Sequence, residues 1–419
     1  MRRDRVEAEL LDAHAEDGAV FPAYDDYCFA NVPDTVAAVL GAAADRPLPG
    51  DVFEGVPTDV DNVVVVLVDG FGWEHWKRDQ GDHRFLADLA AAGTVTPLTT
   101  IYPSETAAAI TTMHTGRQPV EHGVLGWYQY YPDLDAVLRP LPFTTLDGTL
   151  AEEAFGDRAD PDLLVDADSI YQRLAADGVA PTVVQPAETV GGAYTNQVTT
   201  GATVTPYADV AEMAVLVRET LAAGSGPSYV YAYVPNVDTA AHRNGTGSAA
   251  YRAQLSAVTE SLRRELAALD DETAANTLLV VTADHGHVDT RDSVDLREHD
   301  DLWTHLRRDG DGDPIPPLGS SRNAQFLVRD GHVDVLDASL HDAFDLRTFD
   351  RDAVRNRSLF GDRAPSARFE AHLPDLVAVH RDRGLCFTDR SLGHVGRHGG
   401  LTREEMLVPF AAATLADLA

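Results

Sequence analysis

Lysine is almost missing from this chain. Among its 419 residues Lys77 is the one lysine, and the other 32 cations are arginine. Cysteine is as scarce: Cys28 and Cys386 are too few for a disulfide framework and lack metal-ligand spacing, so both are expected as small core residues. No apolar run approaches the ~18 residues of a membrane span. The longest aliphatic run, Val63 to Val68, has the length of a buried strand instead. The opening stretch MRRDRVEAELLDAH carries arginines with no apolar segment behind them. A signal peptide is therefore not expected, and a cytoplasmic location is. No GxGxxG or Walker loop occurs, so no nucleotide cofactor is indicated.

Acid, by contrast, is abundant. Aspartate (48) and glutamate (19) outweigh 33 cations and leave a net charge of −34. Such a field repels polyanions and excludes a nucleic-acid clamp that works by phosphate neutralisation. It equally excludes a polybasic membrane anchor. The acids are spread along the chain rather than gathered in a tail, which fits a surface adapted to high salt better than an acidic interaction tail or polyanion mimic. At about 1 M salt the Debye length is ~3 Å and carboxylate self-repulsion is screened. A halophilic protein is the expectation.

Short β-branched runs alternate with alanine-rich helical stretches. Val63–Val68, Pro181–Gln185, Tyr229–Val234 and Leu278–Thr282 predict strands buried on both faces, as in a parallel sheet. Between them, Phe85–Ala92, Ser169–Ala176, Ala208–Ala222 and Ala249–Ala268 predict helices. The alternation points to an α/β fold, a mostly parallel sheet sandwiched by helices. Residues 1–419 are expected as a single such domain. Residues 1–55 would be a helical lead-in, and 128–165 and 288–372 insertions forming a small cap on the carboxyl edge of the sheet.

Five stretches carry the chemistry. In VVVVLVDGFG, Asp69 follows a strand and Gly70 turns the chain; taken alone, a turn-capping aspartate reads equally well. In YVYAYVPNVDTAAH, Asp238 and His242 stand at i and i+4, one face of a helical turn and a spacing that suits one metal ion. In LLVVTADHGH, Asp284 and His285 follow a strand directly, and Gly286 permits a tight turn in which they converge. In GRHGGLTREEMLVPF, His398 lies among glycines that let backbone approach a site. In TTIYPSETAAAITTMHTG, Pro103 stops a strand and a helix opens. Ser104 is the expected N-cap. Thr106 then falls in the first turn, where free N–H groups and the helix dipole favour an anionic phosphoryl group. A threonine hydroxyl is a weak nucleophile until a base or metal activates it. The Asp/His set suits Zn²⁺, with Mn²⁺ the alternative where oxygen dominates. These six side chains and Thr106 make seven, enough for two divalent ions, which would also reverse the local field for an anionic substrate.

Other residues attract weaker readings. His287 and His394 lie beside the ligand stretches and are expected to hold a ligand carboxylate or to be incidental. His75, His83, His114, His122, His372 and His380 read as surface or satisfied core residues. Trp127, Tyr128, Tyr130 and Tyr131 cluster after the Thr106 stretch. Packing is their default reading, and Trp127 with Tyr128 as a stacking wall for a base or aryl group is the functional one. Arg322 could meet a phosphate but reads as a surface arginine.

The blocks DGFG, PSETAAAITTMHTG…EHGVLG, DTAAH, TADHGH and RHGGLTREEMLVP, taken together and in order, resemble the alkaline phosphatase superfamily. Within it they are most similar to the type I phosphodiesterase/nucleotide pyrophosphatase branch. They span residues 61 to 410. The resemblance implies an alkaline-phosphatase-like α/β core. It implies that Asp69, Thr106, Asp284 and His285 surround one metal and that Asp238, His242 and His398 hold the other. Thr106 would be the nucleophile, forming a phospho-enzyme intermediate on the way to hydrolysis of a phosphodiester or pyrophosphate bond. A small phosphoester, with nucleotides among the candidates, would be the substrate. Two positions depart from the nucleotide-cleaving members: Ala109 stands where an asparagine follows the nucleophile, and Trp127 where another contacts the phosphoryl oxygens. A phosphomonoesterase or phosphonate hydrolase using the same site is the enzymatic alternative. A non-catalytic, metal-stabilised interaction protein is the alternative of another class.

Overall fold

The computed structural model describes residues 1–224, 226–290 and 292–418. Its central sheet is built from β1 (Asn62–Val68), β2 (Thr94–Thr99), β3 (Ala180–Pro186), β4 (Thr203–Tyr207), β5 (Ser228–Val234) and β6 (Thr277–Thr282). A smaller antiparallel sheet follows in the chain: β7 (Leu318–Gly319), β8 (Ala324–Phe326), β9 (Leu346–Asp350) and β10 (Leu376–His380). The chain then returns to the central sheet as β11 (Leu407–Thr414). The order across the central sheet is β2-β11-β6-β1-β5-β3-β4. Every pairing in it is parallel except the two made by β11. The four aliphatic runs seen in the sequence are β1, β3, β5 and β6, each extended by one or two residues. Val63, Val64, Val65, Val66 and Leu67 of β1 are fully shielded, because helices cover both faces of the sheet. Each such buried side chain contributes about 1.5–3 kcal/mol.

Helices occupy the predicted stretches. Arg84–Ala92 and Ile170–Ala176 are two of them, and the second is capped by Ser169, whose hydroxyl accepts from the Gln172 N–H. Four more are labelled α1 (Thr106–Thr115), α2 (Val210–Ala223), α3 (Asn236–Asn244) and α4 (Ala249–Leu266). Asp209 caps α2 and Ser248 caps α4, again through side-chain oxygens. Helix α1 is buried along its whole length after Thr106. Its threonines tolerate that burial because Thr111 and Thr115 donate to the carbonyls of Ala107 and Thr111, both at 2.7 Å.

The register explains the site. Val68 lies opposite Val234, and Leu67 opposite both Tyr233 and Thr282, so β1, β5 and β6 end at one level. β11 runs the other way and begins there, with Leu407 opposite Thr99. Segments that follow four strands and the segment that precedes a fifth therefore meet on one edge.

The peripheral segments build small sheets of their own. Residues 128–165 contain a three-stranded antiparallel sheet (Gln129–Tyr131, Ala136–Arg139, Thr144–Thr145) and a helix at Ala151–Phe155. Residues 288–372 supply β7 to β9, and β10 completes their sheet. Tyr128 and Gly319 exchange backbone hydrogen bonds of 3.0 and 2.7 Å, joining the two segments. The first 55 residues hold helices at Asp4–His14 and Val32–Val39 but also a hairpin pairing Ala15–Glu16 with Ala19–Val20. Among the described residues, no helix is long and apolar enough to cross a membrane.

Two expectations are corrected here. Ser104 does not cap α1; Glu105 occupies the N-cap position. The Ser104 hydroxyl instead donates to Gly400 O at 2.8 Å and accepts from Gly399 N at 3.1 Å, pinning the glycine loop beside His398. Arg322 is not at the surface. It is fully buried and pairs with Glu405 through Nε–Oε1 and Nη2–Oε2 contacts of 2.9 and 3.0 Å, because a guanidinium inside a protein needs a carboxylate and fixed acceptors.

Candidate metal centre

Each of the seven residues singled out in the sequence reaches the common edge. Asp69 stands one residue past β1, where Gly70 turns the chain at φ 72°. A side chain at Gly70 would also strike the His287 ring. Asp284 and His285 follow β6. Gly286 after them serves a close approach rather than a left-handed turn, since a Cβ there would collide with Glu404 O. Asp238 and His242 share one face of α3, and His398 arrives on the segment leading into β11. Thr106 is the first residue of α1.

The side chains form two adjoining groups. In one, Asp238 Oδ1 lies 3.4 Å from His242 Nε2 and 3.6 Å from His398 Nε2, and those two nitrogens face each other at 3.1 Å. In the other, His285 Nε2 lies 3.1 Å from Thr106 Oγ1, 3.4 Å from Asp69 Oδ1 and 3.3 Å from Asp284 Oδ2. The His285 and His398 rings stack at 3.6 Å between centroids and join the groups.

The outer contacts decide what this arrangement can bind. Nδ1 of His242 faces Gly396 O at 2.8 Å, Nδ1 of His398 faces Ser104 O at 3.1 Å, and Nδ1 of His285 faces Gly286 O at 3.1 Å. A carbonyl only accepts, so each Nδ1 carries the proton and each Nε2 presents a lone pair inward. Among the described residues, Asp69 Oδ1 and Asp284 Oδ2 are buried without a hydrogen-bond partner. Lone pairs therefore converge from every side, a donor set that fits divalent cations and little else. Among the described residues, two overlapping sets have ligand atoms close enough for one ion: Asp238, His242, His287 and His398, and Asp69, Asp238 and His285.

Three residues around the site escape a reading of the sequence or receive only a loose role from it. His287 donates through Nε2 to Asp238 Oδ1 at 2.8 Å, the orienting contact expected of a neighbouring histidine. Glu105 is buried at the start of α1 and accepts from the Trp127 N–H at 2.9 Å and from Asn323 Nδ2 at 3.1 Å, which ties the segment entering β8 to α1. The Tyr233 hydroxyl donates to Asp69 Oδ2 at 2.5 Å. A tyrosine at the end of a strand that leads to a ligand block is the available signal. Trp127 is half-buried near this edge, and Tyr128 is buried with its ring edge-on to Phe387. His394 lies against His242, with ring centroids 4.2 Å apart.

Charge follows from the geometry. Burial, then the carboxylates of Asp284 and Asp238, push Asp69 well above the usual carboxylate range. Burial raises Asp284 to about 7. Burial lowers His285 to about 3 and holds it neutral. Asp284 therefore gains stability for the metal-free fold below about pH 4, and that gain is lost as pH rises through about 7, because the folded state there must carry a buried, crowded anion. In chelator, Asp284→Asn should melt above the wild type at pH 8 and lose most of that advantage at pH 5. Calorimetry at the two pH values checks it.

Comparison with known proteins gives the family and the fold. The sequence model of the family described as type I phosphodiesterase / nucleotide pyrophosphatase matches residues 63–401. No curated protein matches the chain in sequence. Among solved structures, the murine ectonucleotide pyrophosphatase/phosphodiesterase 5 is similar at 18% identity and TM-score 0.62, covering 84% of this chain and 87% of its own. An inactive variant of that murine protein in complex with AMP is similar at 17% identity and TM-score 0.61, with coverage of 84% and 87%. Phosphonoacetate hydrolase from Sinorhizobium meliloti, in complex with phosphonoformate, is similar at 18% identity and TM-score 0.60, with coverage of 85% and 93%. At these identities the structural likeness speaks for the fold, an alkaline-phosphatase-type α/β core.

Proposed function

This chain belongs to the type I phosphodiesterase / nucleotide pyrophosphatase family, a family of phosphoric ester hydrolases, and from that premise we propose that it cleaves phosphodiester or pyrophosphate bonds at a site for two divalent cations. One observation carries the reading: among the described residues, Asp69 Oδ1 and Asp284 Oδ2 are buried acceptors with no donor, beside the facing Nε2 lone pairs of His242 and His398. Asp69, Thr106, Asp284 and His285 would hold one ion, and Asp238, His242 and His398 the other. Zn²⁺ suits the histidine-rich group, and Mn²⁺ is the alternative. Such ions supply charge neutralisation and Lewis acidity toward a phosphoryl group.

The chain's own residues do the rest. Thr106 Oγ1 attacks phosphorus as its proton passes to solvent, the Oγ–P bond forms, and the leaving oxygen departs with the electron pair of its broken bond to phosphorus. A water oxygen then bonds to phosphorus as the Oγ–P bond breaks, and a proton released from that water restores the Thr106 hydroxyl. The first N–H groups of α1 have no partner within the helix, and they meet the phosphoryl oxygens with the positive end of the helix dipole behind them. Trp127 and Tyr128 offer an aromatic surface to a base or aryl group; the AMP complex of the murine relative is a precedent for a nucleotide in this fold. A phosphomonoester or phosphonate substrate is the second reading. Ala109 favours it, since a methyl group cannot donate to a phosphoryl oxygen as an asparagine amide would. The acidic surface suits a cytoplasm of high salt.

The test is hydrolysis of bis-(p-nitrophenyl) phosphate and p-nitrophenyl phosphate, with metal content measured alongside. At about 2 M KCl, two ions per chain and hydrolysis that disappears on chelation and returns with Zn²⁺ or Mn²⁺ are expected. A parallel run in dilute KCl should show a lower melting temperature, as unscreened carboxylates repel. Hydrolysis by fully metal-free protein, or two bound ions with no phosphoester cleaved, would overturn the reading.

A further inference from the structure

The hydroxyl of Tyr233 occupies one of the two oxygens of a candidate metal ligand. Tyr233 lies in β5 opposite Leu67 of β1, two residues before Asp69. The ladder continues past the strand end, with Asp69 N–H donating to Val234 O at 3.0 Å. Tyr233 and Asp69 are thus diagonal neighbours on one face of adjacent strands, within reach of a long side chain. The phenol donates to Asp69 Oδ2 at 2.5 Å, while Oδ1 stays buried, without a hydrogen-bond partner, 3.4 Å from His285 Nε2. The tyrosine backbone is itself held, since the Tyr207 hydroxyl donates to Tyr233 O at 2.7 Å. Tyr229 and Tyr231 project from the same face of β5, and their hydroxyls have no partner. Of the three phenols in that row, the one bonded to a carboxylate is the one beside the site.

We propose that Tyr233 is a positioning residue that commits Asp69 to single-oxygen ligation, with Oδ2 engaged by the phenol and Oδ1 alone offered to the ion. A carboxylate free at both oxygens can rotate or chelate through both. One oxygen held by a fixed O–H donor fixes the torsion of the other, and outer contacts of this kind are commonly worth about 10–100-fold in metal affinity. Phenol chemistry suits the task, because an unperturbed tyrosine keeps its proton to about pH 10.

The inference rests on the two-ion reading of the site and is tested apart from it. The two Zn²⁺ affinities of wild type, Tyr233→Phe and Tyr231→Phe are measured by competition with a chromophoric chelator, and each metal-free protein is melted. In Tyr233→Phe one affinity should weaken about 10–100-fold and the other stay within about twofold, while the metal-free protein still melts cooperatively, at a lower temperature because the buried carboxylate has lost the phenol. Activity lost at limiting Zn²⁺ should return in excess Zn²⁺ with an unaltered KM. Tyr231→Phe, which removes a partnerless hydroxyl from the same row, should keep both wild-type affinities. Wild-type affinities in Tyr233→Phe, an equal weakening of both, or a raised KM at saturating metal would overturn the proposal; the last outcome would make Tyr233 a substrate contact. A wild type that holds no ion would remove the two-ion reading and this inference together. A wild type holding two ions with a Tyr233→Phe variant that matches it would remove this inference alone.

Discussion

Thr106→Ala is expected to lower phosphoester turnover by at least about 10³-fold, equivalent to about 4 kcal/mol of lost barrier reduction. Thr106 Oγ1 is the hydroxyl in contact with both the His285 Nε2 lone pair and the start of α1. Alanine keeps the helix, because it is the best helix former and position N1 uses no side-chain cap here. The change therefore isolates the hydroxyl. Asp238, His242 and His398 make their contacts with one another and with His287 rather than with Thr106, so the ion they hold should remain bound. Thr106→Ser restores a nucleophile at the same place and should recover turnover to within about tenfold of the wild type. Brief acid quenching of the active enzyme with a labelled substrate should trap phosphothreonine, and the alanine variant should trap none. Turnover by Thr106→Ala within about tenfold of the wild type would end the covalent mechanism.

The second large effect is on stability. Glu405→Gln, or Arg322→Met, should each cost about 3–5 kcal/mol in equilibrium unfolding, because either change leaves its partner charged and buried with no opposite charge beside it. Burial opposes ionisation of Glu405, but Arg322 overcomes it and holds the carboxyl below the usual range. The paired replacement Arg322→Met/Glu405→Leu removes both charges and should recover much of the loss. The pair also reaches the site. Glu405 accepts the Gly400 N–H at 3.0 Å and the Thr402 hydroxyl at 2.9 Å, so it anchors the loop that carries His398. The single variants should consequently lose metal from the Asp238 group before they unfold. Denaturant curves that superimpose on the wild type would show that the buried pair contributes nothing.

Legibility divides along a physical line. β1, β3, β5 and β6 are readable because a strand buried on both faces must be aliphatic throughout, and no other short element demands that. Asp69, Asp284 and His285 are readable because a polar residue directly after such a run has nowhere to go but the sheet edge. Asp238 and His242 are readable from helical spacing alone. Arg322 misleads because an arginine in a polar loop carries no sign of the glutamate 83 residues away that meets it. Ser104 misleads for the same reason: two glycines at 399 and 400 take its hydroxyl before the helix can.

Local chemistry in the chain is sufficient to specify an acidic surface, a row of shielded strands and a set of polar residues at their ends, because each depends on neighbours within a few positions. Convergence is not local. It comes from the common level at which β1, β5 and β6 stop and from the reversed direction of β11, which turns the segment before it, rather than after it, toward the same edge. Which lone pairs point inward is decided later still, by the carbonyls of Gly286, Gly396 and Ser104 and by the phenol of Tyr233, contacts that exist only once distant backbone has packed together.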